Sequence, residues 1–237
     1  MTVELAWGAA TDVGLVRAEN EDSHTVGVPI FAVADGMGGH AGGALASQLA
    51  VAALQRSFDG VLPTADDVIV AIDRGNRAIL DSAAAGELAG MGTTLVGLAL
   101  VADGPDTYWF GFNVGDSRLY RFAGGRCEQV SVDHAESGHL LTRALGLAPS
   151  ADVDCWLLLP VPGERFLLCS DGLHGELSHE RIVSLLGRTR EPAEAAEALV
   201  RAAIDAGGRD NVTAVVVDVL GAAAADVDAT TVERRTR

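Results

Sequence analysis

The spacing of apolar residues changes along this chain, and the order of the changes constrains its fold. Helical spacing predicts two helices, at about 44–57 and from residue 64 onward. Apolar and β-branched runs separated by turn residues then predict strands between about 93 and 170. Two further helices between 178 and 206 precede a last strand at 211–220. Because helices and strands come in blocks, the pattern favours antiparallel sheets flanked by helices over repeated βαβ units.

Length and hydrophobic content indicate one folded domain with a short tail. The chain has 237 residues, and 49% of them are hydrophobic, which is enough for a large core. Residues 222–237 alternate alanine with aspartate and end in charged residues. We expect a domain over 1–221 and a disordered tail over 222–237.

The excess of acidic side chains limits the possible partners. The 17 Lys and Arg residues against 33 Asp and Glu residues give a formal net charge of -16. A chain this acidic has no electrostatic footprint for nucleic acid or for an anionic membrane surface. If it handles phosphate, bound divalent cations have to reverse the local field.

Cysteine usage and hydropathy predict a cytoplasmic protein. Cys127, Cys155 and Cys169 are odd in number and lack CxxC spacing, which is typical of core residues in a reducing compartment. The sequence shows no charged-then-apolar leader and no apolar run of about 18 residues. We therefore expect neither export nor a membrane span.

The stretch 30–43 places a carboxylate at the end of a buried strand. The apolar residues 30–34 are followed by Asp35 and by a loop dense in glycine. A carboxylate held at a strand end suits a metal ligand or a catalytic base, and adjacent glycines let backbone carbonyls approach an ion closely. The alternative is a plain strand, turn and helix in which Asp35 only begins the turn.

Three more acidic residues stand in similar positions. Asp171 follows a second apolar run, Asp116 lies in a tight turn, and Asp210 precedes the last strand. If these strand ends converge, the carboxylates repel one another and need a cation or a proton between them. Oxygen-only ligation selects hard ions such as Mg²⁺, Mn²⁺ or Ca²⁺, and a pair of such ions activates water and clamps phosphoryl oxygens. The alternative is a set of unrelated structural turns.

Seven motifs, taken in order, resemble those of a known enzyme family. The motifs are Thr11-Asp12 through Asn20-Glu21-Asp22, Asp35-Gly36-Met37-Gly38-Gly39-His40, Gly92-Thr93-Thr94, Gly115-Asp116-Ser117-Arg118, Thr142-Arg143-Ala144-Leu145-Gly146, Ser170-Asp171-Gly172-Leu173 and Arg209-Asp210-Asn211-Val212-Thr213. From about residue 7 to 218 the sequence resembles a bacterial member of the PPM family of metal-dependent (type 2C) serine/threonine protein phosphatases. The resemblance implies an α+β fold, a four-layer α-β-β-α sandwich of two antiparallel sheets flanked by helices. It also implies a binuclear Mn²⁺ or Mg²⁺ centre between the sheet ends.

The resemblance assigns the metal ligands residue by residue. It implies that Asp35 bridges two metal ions and that the Gly36 carbonyl binds one of them. Asp116, together with Asp171, matches a weaker third metal site. The remaining ligands implied for the second ion are Glu21, Asp171 and Asp210.

Other matched residues are implied to act on the substrate or on water. Arg17 matches the phosphate-binding arginine, whose planar fork suits two phosphate oxygens. Asp22 would orient metal-bound water. His40 matches the histidine that protonates the leaving oxygen, and Asn211 matches a polar residue beside the metals.

The other histidines receive no chemical role from the sequence. We expect His24, His139, His174 and His179 on the surface or in loops. His134 follows Asp133 in a pair that is frequent in the family.

One segment departs from the family pattern. Only the seven residues 135–141 separate His134 from Thr142, where bacterial relatives carry a flap subdomain. Seven residues cannot hold two helices, so we expect a strongly shortened flap and weak recognition of the sequence around a phosphorylated residue.

These observations predict a metal-dependent phosphatase of phosphoserine and phosphothreonine on proteins, in which a metal-bridging hydroxide attacks phosphorus. Two Mn²⁺ or Mg²⁺ ions are expected to bind tightly, with a weaker third. The expected partners are phosphorylated proteins in signalling, namely a serine/threonine kinase or its targets. One alternative is a phosphatase of small phosphoesters, which an open cleft would favour. Another is a phosphoprotein-binding module without turnover, against which the full carboxylate set argues.

Overall fold

The computed structural model describes residues 3–38, 41–58, 61–86, 90–136, 140–222 and 233–236, and its elements follow the expected block order. The helices are α1 (Ala41–Gln55), α2 (Ala65–Ala85), α3 (Asp171–His174), α4 (His179–Arg188) and α5 (Pro192–Ala206). The strands are β1 (Val3–Asp12), β2 (Asp22–Thr25), β3 (Ile30–Met37), β4 (Gly92–Thr93), β5 (Leu95–Asp103), β6 (Asp106–Val114), β7 (Arg118–Ala123), β8 (Arg126–Gln129), β9 (Ala135–Glu136), β10 (Leu140–Leu141), β11 (Asp154–Leu158), β12 (Arg165–Cys169), β13 (Val212–Ala222) and β14 (Glu233–Thr236).

The strands form two antiparallel sheets. The first sheet has the order β1-β13-β12-β7-β8, and the second has the order β14-β11-β6-β5-β3-β2, with β4 paired to β3. The sequential strands β6 and β7 lie in different sheets, so the turn between them joins the two. A separate short hairpin of β9 and β10 occupies the segment where the flap was expected to be shortened.

Side-chain alternation along the strands builds four layers, because successive side chains of a strand point to opposite faces of its sheet. On β3, Ala32 and Ala34 face the layer of α1 and α2, while Phe31 and Val33 face the other sheet. The outer face of the first sheet is covered in the same way by α4 and α5. Between the sheets, the buried ring of Trp109 makes edge contacts with Phe31 and Phe166. The predicted α+β sandwich with helices on both outer faces is confirmed.

The structure departs from the expected disordered tail at residues 233–236. These residues form β14, which pairs antiparallel with β11 and places Thr236 opposite Asp154. Without β14, β11 would end the sheet with unpaired backbone groups, and a short added strand satisfies them. Residues 223–232 and 237 lie outside the described part of the chain.

The helices pack against the outer faces of the two sheets. None of those that the structure describes has both the length and the apolar character needed to cross a lipid bilayer.

A buried amide on α2 supports the loop after β10. The Asn76 side chain is 1% exposed; its Nδ2 donates to the Ala148 carbonyl at 2.9 Å, and its Oδ1 accepts from the Gly146 amide at 2.7 Å. In the same loop, Leu145 exchanges two backbone hydrogen bonds with Thr93. The Thr142–Gly146 motif is therefore held against the end of the second sheet.

We expect Asn76→Ala to lower the free energy of unfolding by about 1–3 kcal/mol, because the buried Gly146 amide loses its acceptor. Urea denaturation measures the change. Arg77→Ala, at an exposed position on the same helix, is the control and should change stability by less than about 0.5 kcal/mol. Equal midpoints for the two variants would contradict the role given to Asn76.

Candidate metal centre

The acidic residues singled out in the sequence lie at one end of both sheets. In the first sheet, Asp171 follows β12 and Asp210 precedes β13. Because these strands pair antiparallel, the two residues lie at the same end of the sheet. In the second sheet, Asp22 lies directly opposite Asp35 in the pairing of β2 with β3. Asp116 lies in the turn from β6 to β7 that connects the two sheets. The predicted convergence of strand ends is therefore present.

A cleft of about 950 Å³ opens between these strand ends. Asp22 is not among the residues that line the cleft, and His40 lies outside the described residues. The remaining predicted site residues all line it: Arg17, Glu21, Asp35, Gly36, Asp116, Asp171, Asp210 and Asn211.

Burial and mutual repulsion disfavour ionisation of the carboxyl groups beside the cleft. The pKa of Asp35 is raised well above its usual value, first by burial and then by the charges of Asp22 and Asp171 and a hydrogen bond with Asp171. Burial also raises the pKa of Asp22 to about 7, although hydrogen bonds from Thr213 and Ser170 partly offset the rise. Such a cluster needs a proton or a cation to remain compact.

Two observations fit a hard divalent cation. The groups offered to the cleft are oxygens of carboxylates and of the backbone, which are the ligands that Mg²⁺ and Mn²⁺ prefer. Beside them, the Oδ1 atom of Asp22 is buried and has no hydrogen-bond partner among the described residues. A buried carboxylate oxygen without a partner is costly, and a water molecule held by a cation would supply the missing donor.

Two glycines let the chain segments around Glu21 approach each other. A Cβ atom on Gly43 would lie 2.3 Å from Glu21 Oε2, and one on Gly36 would lie 2.2 Å from the Gly43 carbonyl oxygen. A side chain at either position would therefore separate β3 from the start of α1. The glycine-rich loop noted in the sequence is required by this close packing around a predicted ligand.

Two residues with separate predicted roles are bonded to each other. Arg17 Nη2 donates to Asp210 Oδ2 at 2.7 Å, and this contact is the main reason that the pKa of Arg17 is raised. Among the side chains that the structure describes, no three His, Cys, Asp or Glu residues converge on one point as the ligands of an ion do. The fold thus brings the predicted ligands into one cleft but leaves Asp210 directed at a guanidinium.

Asn211 uses its side chain to organise the backbone. Its Oδ1 accepts from the Glu21 amide at 2.9 Å, and its Nδ2 donates to the carbonyls of Val13 and Glu19, each at 2.9 Å. These bonds fix the 13–21 loop that carries both Arg17 and Glu21. Asn211 lies beside the predicted ligands, and its side-chain contacts position that loop.

The sequence interpretation missed two histidines around Asp116. His174 does not lie on the surface or in a loop: it ends α3, is half-buried, and its Nε2 lies 3.1 Å from the Asp116 carbonyl oxygen. His134 is 7% exposed, and its Nδ1 accepts from the Gly115 amide at 3.1 Å. Burial lowers the pKa of both rings. The spacing of Asp171 and His174, three residues apart, was the available signal, because such residues share a helix face.

The other three histidines that were expected on the surface or in loops differ in their outcome. His24 lies half-buried in β2, so that expectation is wrong for it, because alternate residues of this strand face the protein. His179 is exposed at the start of α4, as expected. His139 lies outside the described residues.

Comparison with known proteins gives consistent matches. The family model for protein phosphatase 2C matches residues 17–206. The chain is 37% identical to the serine/threonine protein phosphatase PstP of Mycobacterium tuberculosis (strain H37Rv) over 93% of this chain and 46% of PstP, so it spans about half the length of that relative. It is 31% identical to the serine/threonine phosphatase stp of Listeria monocytogenes (serotype 4b), over 88% of this chain and 93% of stp.

A solved structure of a relative has a similar fold. The crystal structure of the catalytic domain of PstP in complex with two manganese ions has a TM-score of 0.82 at 37% identity, covering 93% of this chain and 100% of that one. The family model spans most of the chain. The chain belongs to the protein phosphatase 2C family.

Proposed function

We propose that this chain hydrolyses phosphoserine and phosphothreonine on proteins, using two tightly bound divalent ions, Mn²⁺ or Mg²⁺, and a weaker third. The observation that carries the proposal is that Asp35, Asp171 and Asp210 all line one cleft, which Arg17 lines as well. Carboxylates alone would repel a phosphorylated substrate, so this combination requires cations. The two manganese ions of the PstP catalytic domain support the same number here.

The metal ligands in this proposal are those that line the cleft. Asp35 would be shared by the two tightly bound ions, the Gly36 carbonyl would help to hold one of them, and Asp116 with Asp171 would hold the weaker third. When bound, the ions would activate a water molecule and neutralise charge on the phosphoryl group. The residues that would hold the second ion are Glu21, Asp171 and Asp210, all of which line the cleft.

The chain's own polar groups bind the phosphate and orient water. Arg17, with its planar fork, binds two phosphate oxygens, and to do so its Nη2 exchanges the Asp210 carboxylate for the substrate. The same exchange would leave the Asp210 carboxylate free to help hold a cation. The buried Oδ1 of Asp22 accepts a hydrogen bond from water and holds it for attack. His40 protonates the departing oxygen.

The partners follow from the substrate class. Phosphorylated proteins are the substrates, and a serine/threonine kinase or its targets supply them, with no part for nucleic acid or a membrane. The catalytic domain comprises residues 1–221. The three cysteines are free, as in a reducing compartment, and we place the protein in the cytoplasm.

A phosphatase of small phosphoesters is the second candidate. The β9–β10 hairpin has only two residues in each strand, and of its described residues Leu140 and Leu141 line the cleft, so few side chains there are available to the sequence around a phosphorylated residue. Assays of a phosphothreonine peptide and of a small aliphatic phosphate ester, each with Mn²⁺ and with chelator, separate the candidates. Higher kcat/KM on the peptide supports protein substrates, higher kcat/KM on the ester supports the alternative, and no metal-dependent hydrolysis contradicts both.

We expect Asp35→Asn and Asp171→Asn each to reduce kcat/KM on the peptide by at least about a thousandfold with the fold retained. Each change removes a charge that opposes a divalent ion while it keeps the shape of the side chain. Circular dichroism checks the fold, and calorimetry measures Mn²⁺ binding. The control is Asp103→Asn, which removes the same charge from an exposed position at the opposite end of β5. Near-native turnover of either variant at micromolar Mn²⁺ would remove its residue from the metal centre.

Arg17→Ala should raise KM for the phosphothreonine peptide by about tenfold or more without weakening Mn²⁺ binding. The variant loses the phosphate-binding fork, and Asp210 loses a competing cation at the same time. Steady-state kinetics and calorimetry measure the two effects separately. Arg126→Ala, an equal loss of charge on exposed β8, is the control. A loss of Mn²⁺ affinity in Arg17→Ala would mean that the ion pair holds Asp210 in place for the metal.

His40→Ala should be selective for the leaving group. An aryl phosphate departs as a stabilised phenolate and hardly needs a proton, whereas a serine or threonine alkoxide is far more basic. The variant should therefore lose about a hundredfold on phosphopeptides and less than about tenfold on an aryl phosphate. Equal losses on both substrates would count against His40 as the general acid.

A further inference from the structure

The turn that carries Asp116 is held by two histidines from different parts of the chain. The Gly115 amide donates to His134 Nδ1 at 3.1 Å, and the His134 amide donates back to the Gly115 carbonyl at 2.9 Å. On the next residue, the Asp116 carbonyl accepts from His174 Nε2 at 3.1 Å. Both peptide groups of the turn are therefore bound by a histidine.

The first ring is fixed by its other nitrogen. Because Nδ1 of His134 accepts a hydrogen bond, the proton of the neutral ring is on Nε2, which lies 3.3 Å from Asp154 Oδ2. Asp154 is fully buried, and its Oδ1 accepts from Arg143 Nη1 at 3.0 Å. The carboxylate thus orients the ring that receives the Gly115 amide.

The second ring connects the turn to a neighbouring predicted ligand. His174 ends α3, and Asp171 begins the same helix. A carbonyl oxygen can only accept, so the nitrogen of His174 that faces Asp116 carries the proton. The contact ties the helix of Asp171 to the turn of Asp116.

Close packing against Thr94 also fixes the position of the turn. Gly115 has φ +108°, and a Cβ atom there would lie 2.6 Å from the Thr94 side chain. Behind it, the hydroxyl groups of Thr94 and Ser117 are 2.7 Å apart and hydrogen-bonded. A side chain at position 115 would clash with Thr94, and the positive φ also favours glycine there.

We propose that His134, oriented by Asp154, and His174 are positioning residues that hold the Gly115–Asp116 turn so that Asp116 meets Asp171 in the cleft. By fixing one carboxylate relative to the other, the two histidines set the affinity of the weaker metal site. This inference rests on the proposed function, in which Asp116 and Asp171 share that site.

The two histidines use different nitrogens, and this difference provides a sharp test. Asparagine places an acceptor oxygen near the position of Nδ1, and glutamine places a donor nitrogen near that of Nε2. His134→Asn therefore keeps the bond to the Gly115 amide, and His134→Gln loses it. At position 174 the order is reversed, because His174→Gln keeps the donor to Asp116 and His174→Asn loses it.

The experiment compares these four variants in the full chain by two measurements. Hydrogen exchange of the Gly115 amide, followed by NMR in chelator, reports the turn without metal or substrate. Calorimetry with Mn²⁺ alone reports the affinity of the weakest site. His179→Asn and His179→Gln, at an exposed position on α4, are the matched controls.

We expect a crossed pattern, in which asparagine is the tolerated substitution at position 134 and glutamine is the tolerated one at position 174. His134→Asn and His174→Gln should stay within about threefold of the native protein in both measurements. His134→Gln and His174→Asn should lose about tenfold or more in Gly115 protection and in affinity at the weakest Mn²⁺ site. The His179 variants should match the native protein.

The same ranking of Asn and Gln at both positions would overturn the proposal, because it would show that only side-chain size matters. Native exchange in all four variants would overturn it as well. Unchanged Mn²⁺ affinity together with a crossed exchange pattern would overturn the link to the metal site. If the crossed pattern appears in both measurements but the native protein hydrolyses no phosphoester with Mn²⁺, the positioning role stands and the proposed function fails.

Discussion

Electrostatic repulsion among the carboxylates at one end of the two sheets is the constraint on which the rest of the site depends. Burial and neighbouring charge raise the pKa of Asp35 well above its usual value and that of Asp22 to about 7. Folding keeps these groups together because they are attached to strand ends whose positions are set by the apolar layer between the sheets, centred on Trp109. Cations placed among them would convert this repulsion into attraction and would present positive charge to a phosphate on a protein of net charge -16.

Backbone contacts keep the site in shape more than contacts among the site's own side chains do. Asn211 binds three backbone groups around the 13–21 loop, and Gly36 and Gly43 let that loop approach α1. His134 and His174 hold the Asp116 turn in the same way. Each of these residues acts through another residue, so changing one should move a ligand without removing it.

Local pattern was sufficient for the architecture, and it selected acidic residues that line one cleft. Alternation of apolar residues determines the face of a strand, and helical spacing determines the buried side of a helix, so the four layers could be predicted. The Asp-Gly pairs at strand ends indicated Asp35 and Asp171 as candidate metal ligands, because a carboxylate directly after a buried strand is unusual. Local pattern failed for β14, whose pairing with β11 depends on an open sheet edge far away in sequence, and for His174, which its sequence neighbours alone do not show to be half-buried.

The sequence by itself determined the family and the set of acidic residues, through seven motifs spread along the chain, and it determined most of the longer helices and strands, whose patterns depend on spacing within about ten positions. The tertiary structure decided which groups touch. The bond between Arg17 and Asp210 spans 193 positions, and the bond between Asp22 and Ser170 spans 148. Hydrogen bonds and ion pairs require atoms within about 3 Å of each other. Strand order and register determine which residues come that close. The periodicity of the sequence indicates which face of a strand is buried, but it does not indicate which strand pairs with it.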